Sequence, residues 1–411
     1  MAESRNNLRS WWQPPRKTID REEDRRVTFL ELFYDLVYVV LIAELAHSLA
    51  TNVTLTGVVG FAFLFVIVWW AWINGTLYHE LHGNNDIRTR IFTFLQMFTV
   101  AGMAVFAHNA LGEGSIGFAW SYIAFQLILT YLWWRTGVHD PLHRPLSIPY
   151  VLAYLFNTLL FIASVFVSIP WRFILWGIAL AISLLLPMLT LRTNRNAPEI
   201  QEEIIRSSKA TPSMVERFGL FTIIVLGEVV AGTIRGVAGY HPLNLTVGIT
   251  AAIGMVIAIG IWWIYFDFIS GRPPLPGLLN TRHWLYLHLP MTLGITAVGA
   301  AVFNFVEHAG EPLPASVRWL LSGSMALVLV CIALLMRSTL VHKDLFPYYR
   351  RGGIITIISA ILIFLLGFTN LTIIPILTVT AVLLLVPVLY GVIIWIKAFG
   401  GQEISITNVE G

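Results

Sequence analysis

Of the 23 acidic residues in this chain, Asp35, Glu44, Glu228 and Asp267 fall inside stretches apolar enough to lie in lipid. A charged side chain at the centre of a bilayer costs at least about 2.5–3.5 kcal/mol, so such groups face a bundle interior or a wet cavity. There they hold a proton through a raised pKa or meet a cation. The sequence places no Lys or Arg at mid-membrane to neutralise them. Glu44 and Glu228 occupy equivalent positions in two related halves, and the reading brings them together across a pseudo-twofold axis. His47, three residues after Glu44, shares its helix face and is placed to relay a proton. Asp35 precedes Glu44 by nine residues, which puts it on about the opposite side of the helix at 100° per residue. With Asp267 and His288 it forms a second polar layer towards the cytoplasm. The structural alternatives are protonated, hydrogen-bonded glutamates that lock helices together, Asp35 and Asp267 paired with Arg26, Arg282 or Arg88, and His288 as a satisfied buried histidine.

The elements that must position these groups follow from composition. With 57% hydrophobic and 12% charged residues in 411 and a mean hydropathy of +0.74, the chain has too little polar surface to cover a soluble globule. About twenty apolar residues cross a bilayer as a helix. Twelve such stretches are expected, at 27–50, 55–75, 91–111, 116–134, 148–167 and 171–191, then at 214–234, 245–269, 284–305, 317–336, 353–371 and 373–396. All the Lys and Arg except Arg172, Arg235 and Arg318 then fall on the cytoplasmic side if the N-terminus is inside, so both termini are expected in the cytoplasm. This bias accounts for the pI near 9.0 without nucleic acid as a partner. Residues 1–26 form a charged cytoplasmic segment with no signal-peptide pattern, 193–213 a polar cytoplasmic linker, and 398–411 a cytoplasmic tail.

The segments on either side of the linker, 27–192 and 214–397, match each other in order. Thr28-Phe-Leu-Glu31 corresponds to Ser213-Met-Val-Glu216, each fitting the capping box at a helix start. Trp69-Trp70 and Asn74 correspond to Trp262-Trp263 and Asp267, the run 88–104 to 282–298, and Pro187 to Pro387. Six spans per copy is an even number, so the copies enter from the same side as a parallel repeat. The fold class is therefore an all-α integral membrane protein of about 12 transmembrane helices in two parallel six-helix repeats. The tryptophan pairs read as structural, and Gly232 with Gly236 as a site of close helix packing. His79, Glu80 and His82 read as solvated interfacial residues without zinc-site spacing, and Cys331 as a small core residue. No P-loop, G-x-S-x-G or H-E-x-x-H occurs, so no cofactor or metal is expected.

The run Thr28-Phe-Leu-Glu-Leu-Phe-Tyr-Asp-Leu-Val-Tyr-Val-Val40, followed by Ala43-Glu44-Leu-Ala-His47, resembles the opening signature of the bacterial low temperature requirement protein A (LtrA) family. Glu216-Arg-Phe-Gly-Leu-Phe-Thr-Ile-Ile-Val-Leu-Gly-Glu228, Trp262-Trp263-Ile-Tyr-Phe-Asp267 and His288-Leu-Pro290 extend the likeness over nearly the whole chain. Tyr34 and Tyr38 stand where phenylalanine is the commoner residue. The resemblance implies a multi-pass bacterial plasma membrane protein associated with growth in the cold and supplies no molecular activity. The leading expectation is a transporter or ion pathway for a small ion or solute, more a conduit than an enzyme, and a homo-oligomer is compatible with it. Its rivals are an intramembrane lipid-modifying enzyme, which needs polar groups gathered at one interface, and a structural or lipid-sensing protein.

Overall fold

The computed structural model describes residues 11, 13–18, 25–193, 198–240 and 244–399, the side chains at 186–193, 199 and 397–399 excepted. The cytoplasmic tail, most of the N-terminal segment and the Pro187 side chain thus lie outside the described residues. The helices are α1 (Phe29–Thr51), α2 (Leu55–His82), α3 (Ile87–Ala107), α4 (Ser115–His139), α5 (Arg144–Val165), α6 (Trp171–Thr193), α7 (Pro198–Ser208), α8 (Pro212–Ala238), α9 (Leu245–Phe268), α10 (Leu278–Glu307), α11 (Ala315–Ser338), α12 (Phe346–Leu366) and α13 (Ile373–Phe399). Among the described residues there is no strand, only an isolated bridge between Pro274 and Thr339.

Among the described residues ten helices are long and apolar enough to span a bilayer, against the twelve expected. Of the expected spans, the two outside that set are α6, whose described side chains end at Leu185 and are apolar over Trp171–Leu185, and α1. Glu31, Tyr34, Asp35, Tyr38, Glu44 and His47 all lie on α1, which is otherwise a strongly apolar helix.

Two compact units divide the chain. The first comprises Met1–Ser48 and Gly60–Met214, with α3, α4, α5 and α6 packed in sequence and α7 against α5. The second comprises Leu49–Val59 and Val215–Gly411, with α10, α11, α12 and α13 packed in sequence and α13 returning to α9. The hairpin that joins α1 to α2 counts with the second unit, where Asn304 Nδ2 donates to the Ala50 carbonyl at 2.9 Å.

Helix starts show what the local sequence achieves. The capping box at α1 forms: Thr28 N donates to Glu31 Oε2 at 2.9 Å and Glu31 N to Thr28 Oγ1 at 3.4 Å. The corresponding box at Ser213 does not. The α8 start is capped instead by Thr211, whose Oγ1 accepts Met214 N at 3.2 Å, with Pro212 at the first helical position, where its missing N–H costs nothing. This frees the Ser213 hydroxyl for another partner. Gly232 and Gly236 do mark a close helix contact. A Cβ at Gly232 would lie 2.7 Å from the Gly299 carbonyl oxygen, and one at Gly236 would lie 2.7 Å from Val306 Cβ, so α8 meets α10 backbone to backbone.

Candidate functional site

The first unit is polar inside. Asp35 is fully buried on α1 and accepts a 2.8 Å hydrogen bond from Trp72 Nε1 on α2. One residue back, the Tyr34 hydroxyl lies 3.1 Å from that of Tyr38. It rests against α2 at Gly75, where a Cβ would sit only 2.1 Å from it. On α2, Asn74 Nδ2 donates to the Trp70 carbonyl at 2.7 Å, and Asn74 Oδ1 receives the Tyr154 hydroxyl from α5 at 2.6 Å.

A layer of amides crosses the same unit at mid-depth. Gln96 lies near the midpoint of α3, Gln126 of α4 and Asn157 of α5, and all three are buried. Asn157 Nδ2 donates to Ser183 Oγ, near the midpoint of α6, at 2.6 Å. Both amide atoms of Gln96, Gln126 Oε1 and Asn157 Oδ1 have no hydrogen-bond partner among the described residues. The second unit differs. Its buried hydroxyls at Thr292, Thr296, Thr356 and Thr380 donate to carbonyls one turn back in their own helices, and no buried carboxamide layer is seen among its described residues. A search for charge overlooks the amide layer because its residues are neutral. A sequence signal was nonetheless available: carboxamides at the centres of three successive spans.

At one end of the first unit, here called basal, α1, α3 and α5 begin and α2 and α4 end. Glu80, 0% exposed, is its centre. Its carboxylate receives Arg25 Nη1 at 2.9 Å, Thr211 Oγ1 at 2.6 Å and Ser213 Oγ at 2.6 Å. The same Arg25 reaches Glu31 through Nη2 at 2.6 Å. His79 bridges the Gly75 carbonyl (2.7 Å) and Thr93 Oγ1 (2.8 Å), and His82 Nδ1 lies 2.9 Å from the Arg16 carbonyl. These three residues are therefore not solvated. Helix α2 runs on to His82, one to two turns past the expected end at 75, because the bonds just described offset the cost of burying them.

The linker is also more than a tether. Within it α7 docks on the first unit, with Ile204 buried and Glu203 Oε1 2.9 Å from His143 Nδ1. Burial works to raise the Glu203 acid. Hydrogen bonds to His143 and Thr18 and the charges of His143 and Arg206 outweigh it and hold the carboxyl below its ordinary 4.5. A depressed carboxyl stabilises the fold above its unfolded pKa, and the contribution is lost as pH falls through the folded value. Acid below about pH 4.5 is therefore expected to loosen α7. A spin label at Ser207→Cys should gain mobility there and lose the transition in Glu203→Gln.

The other residues picked from the sequence are dispersed. Glu228 is buried but not uncompensated: Arg235, two turns further along α8, forms an ion pair with its Oε1. The sequence alone leaves Glu228 without a basic partner; α8 continues to Ala238, and the long Arg235 side chain reaches back to the carboxylate. Glu44 is half-buried, and its carboxylate has no hydrogen-bond partner among the described residues. His47 is exposed and stacks on His108 with ring centroids 5.3 Å apart, which gives it a ring partner away from a simple relay to Glu44. Asp267 is exposed near the end of α9, with Arg272 Nη1 on its carbonyl at 2.7 Å. His288 is enclosed by Phe218, Trp284 and Tyr265, with its Nε2 3.1 Å from the Tyr265 hydroxyl and its Nδ1 2.7 Å from the Trp284 carbonyl. It is a satisfied core histidine. The paired tryptophans part company too: Trp69 is 0% exposed, whereas Trp262 is 44% exposed. Among the described residues no three His, Cys, Asp or Glu side chains are grouped to hold a metal.

Comparison with known proteins agrees with the family resemblance. The protein described as uncharacterized protein RA0937 of Rhizobium meliloti (strain 1021) is 27% identical over 302 residues, covering 68% of this chain and 70% of that protein. No solved structure matches. The family described as bacterial low temperature requirement A protein (LtrA) matches over residues 26–394. A polar, many-helix bundle that matches along almost its entire length belongs to that bacterial LtrA family.

Proposed function

We propose that this protein moves a small ion or polar solute across the bacterial plasma membrane, and that the route runs through the interior of its first unit. The observation that carries this reading is the buried amide layer. Leaving a buried polar atom unbonded costs about 1–3 kcal/mol, and at mid-bilayer polar side chains face water-filled paths or ligands. Gln96, Gln126 and Asn157 offer acceptors and donors that could replace part of the hydration shell of a cation or bind a solute. Asp35, towards the basal side of that layer, is the carboxylate best placed to carry a proton or cation. Glu44 is the corresponding acid further along α1. Glu228, held by Arg235, serves better as a structural tie.

The wider architecture in this reading is twelve spans in two parallel six-helix repeats, with both termini cytoplasmic and the basal end facing the cytoplasm. The consecutive packing of α3 to α6 in one unit and of α10 to α13 in the other supports the repeat. The charge bias supports the orientation. A second reading, chemistry on lipid headgroups, gains weight from the histidines and acids gathered at the basal end, which is what such an enzyme needs.

The test is flux into liposomes that hold the purified protein, following internal pH together with K⁺ or Na⁺ under imposed gradients. Flux above that of empty liposomes is the expected result. If no ion and no small polar solute moves, the transport reading fails and headgroup chemistry takes its place.

A further inference from the structure

A corner of the basal end lies outside the amide route and outside the Glu80 network. Arg88, the second residue of α3, is only 2% exposed. Its nearest carboxylate is Asp86, with Nε 3.7 Å from Oδ2, too far for a hydrogen bond. Asp86 is already engaged. Its Oδ1 accepts Thr89 N at 3.0 Å and Thr89 Oγ1 at 2.6 Å, and its Oδ2 accepts Gln13 N at 2.9 Å. These bonds, against the opposing effect of burial, hold the Asp86 carboxyl below its ordinary range, with Arg88 adding to the shift. Arg88 Nη1 is left with no acceptor among the described residues.

Helix α4 brings more positive charge to the same place. Tyr131, Arg135 and His139 recur every four residues and so share one face of it. The ring of Tyr131 stacks on Phe92 of α3 at 5.0 Å, which aligns that face with Arg88. Arg135 is buried and His139 exposed. Arg88 and His139 both lie within electrostatic range of Arg135. A buried guanidinium with an unmet donor, a second arginine beside it that also donates to the Gln13 carbonyl at 3.3 Å, and an exposed imidazole on the same helix face make a donor-rich corner. Such a set suits an oxyanion with several acceptor oxygens, for which the planar arginine fork is the usual partner.

We infer that the α3–α4 corner binds a phosphate group, with Arg88 as the buried donor, Arg135 supplying charge and His139 at the entrance. The inference does not depend on what moves through the first unit. The phosphate could belong to an anionic lipid headgroup or be free in solution, and both sources share this chemistry. The full-length protein in a neutral detergent, stripped of lipid, would be titrated separately with inorganic phosphate at constant ionic strength and with short-chain phosphatidylglycerol. Binding is read from the melting temperature and tryptophan fluorescence. A saturable response is expected in at least one arm: phosphate alone identifies a free anion, phosphatidylglycerol alone a headgroup. Arg88→Gln should weaken it about tenfold or more, the usual consequence of losing a charge-assisted hydrogen bond, and Arg88→Lys should weaken it less. His139→Gln alters an exposed residue, so it tests the site without risk to the fold, and should weaken binding by a few fold. The inference is overturned if neither titrant gives a saturable response in the wild type. It is equally overturned if Arg88→Gln and His139→Gln both bind as the wild type does.

Discussion

Glu80→Ala is expected to cost about 3–5 kcal/mol of stability, the usual consequence of removing one member of a buried ion pair. The magnitude follows from what is left behind. Arg25, largely buried, keeps Glu31 as a partner but loses the second carboxylate it spans. Thr211 and Ser213 lose the acceptor for both hydroxyls, and the backbone just before α8 loses its anchor to the end of α2. Glu80→Gln keeps the shape and one acceptor and should cost less. Because Arg25, Thr211 and Ser213 share one carboxylate, their separate alanine replacements should not add. The measurement is reversible unfolding in mixed micelles, with a double-mutant cycle between Glu80 and Arg25. A loss below about 1 kcal/mol, in the range of a surface ion pair, would show that the basal network is ornamental to stability.

Glu80 also shows what sequence could and could not supply. Helix content and most of the long apolar helices are one-dimensional properties, set by runs of apolar residues and by where charges interrupt them, and these were legible. Partners were not. His79, Glu80 and His82 look like an exposed loop because three polar residues follow an apolar run. Only the fold supplies Arg25, Thr93 and Thr211, which are 55, 14 and 131 positions away from their partners. The same limit hid the partner of Glu228: hydropathy ends a span at the first charge, whereas the long Arg235 side chain carries its charge back to Glu228. The capping box expected at Thr28 forms, but at Ser213 one proline changed which hydroxyl caps the helix. Charge drew the eye to four acids, while Gln96, Gln126 and Asn157, which occupy the middle of the bundle, carried no such mark.

If the route runs through the first unit, Asp35→Asn should reduce flux to the level of empty liposomes while leaving the protein folded. Asparagine retains an oxygen at the position that accepts Trp72 Nε1, so the α1–α2 contact survives. What it loses is the ability to take up a proton or to stand as an anion beside a cation, and in a buried site no water compensates for that loss. Glu228→Gln makes the opposite prediction. Its carboxylate is engaged by Arg235, whose side chain is 42% exposed and can turn to solvent once released, so flux should persist. Glu44→Gln should fall between, since that half-buried acid has no competing partner among the described residues. Each variant is compared at equal reconstituted amount, with monodispersity checked beforehand so that lost flux is not lost protein. Loss in Glu228→Gln with full activity in Asp35→Asn would move the route to the second unit and overturn the assignment. The discriminating quantity is which acid is free to change its charge during a transport cycle. An acid already held by an arginine, as Glu228 is, must break an ion pair before it can bind anything else.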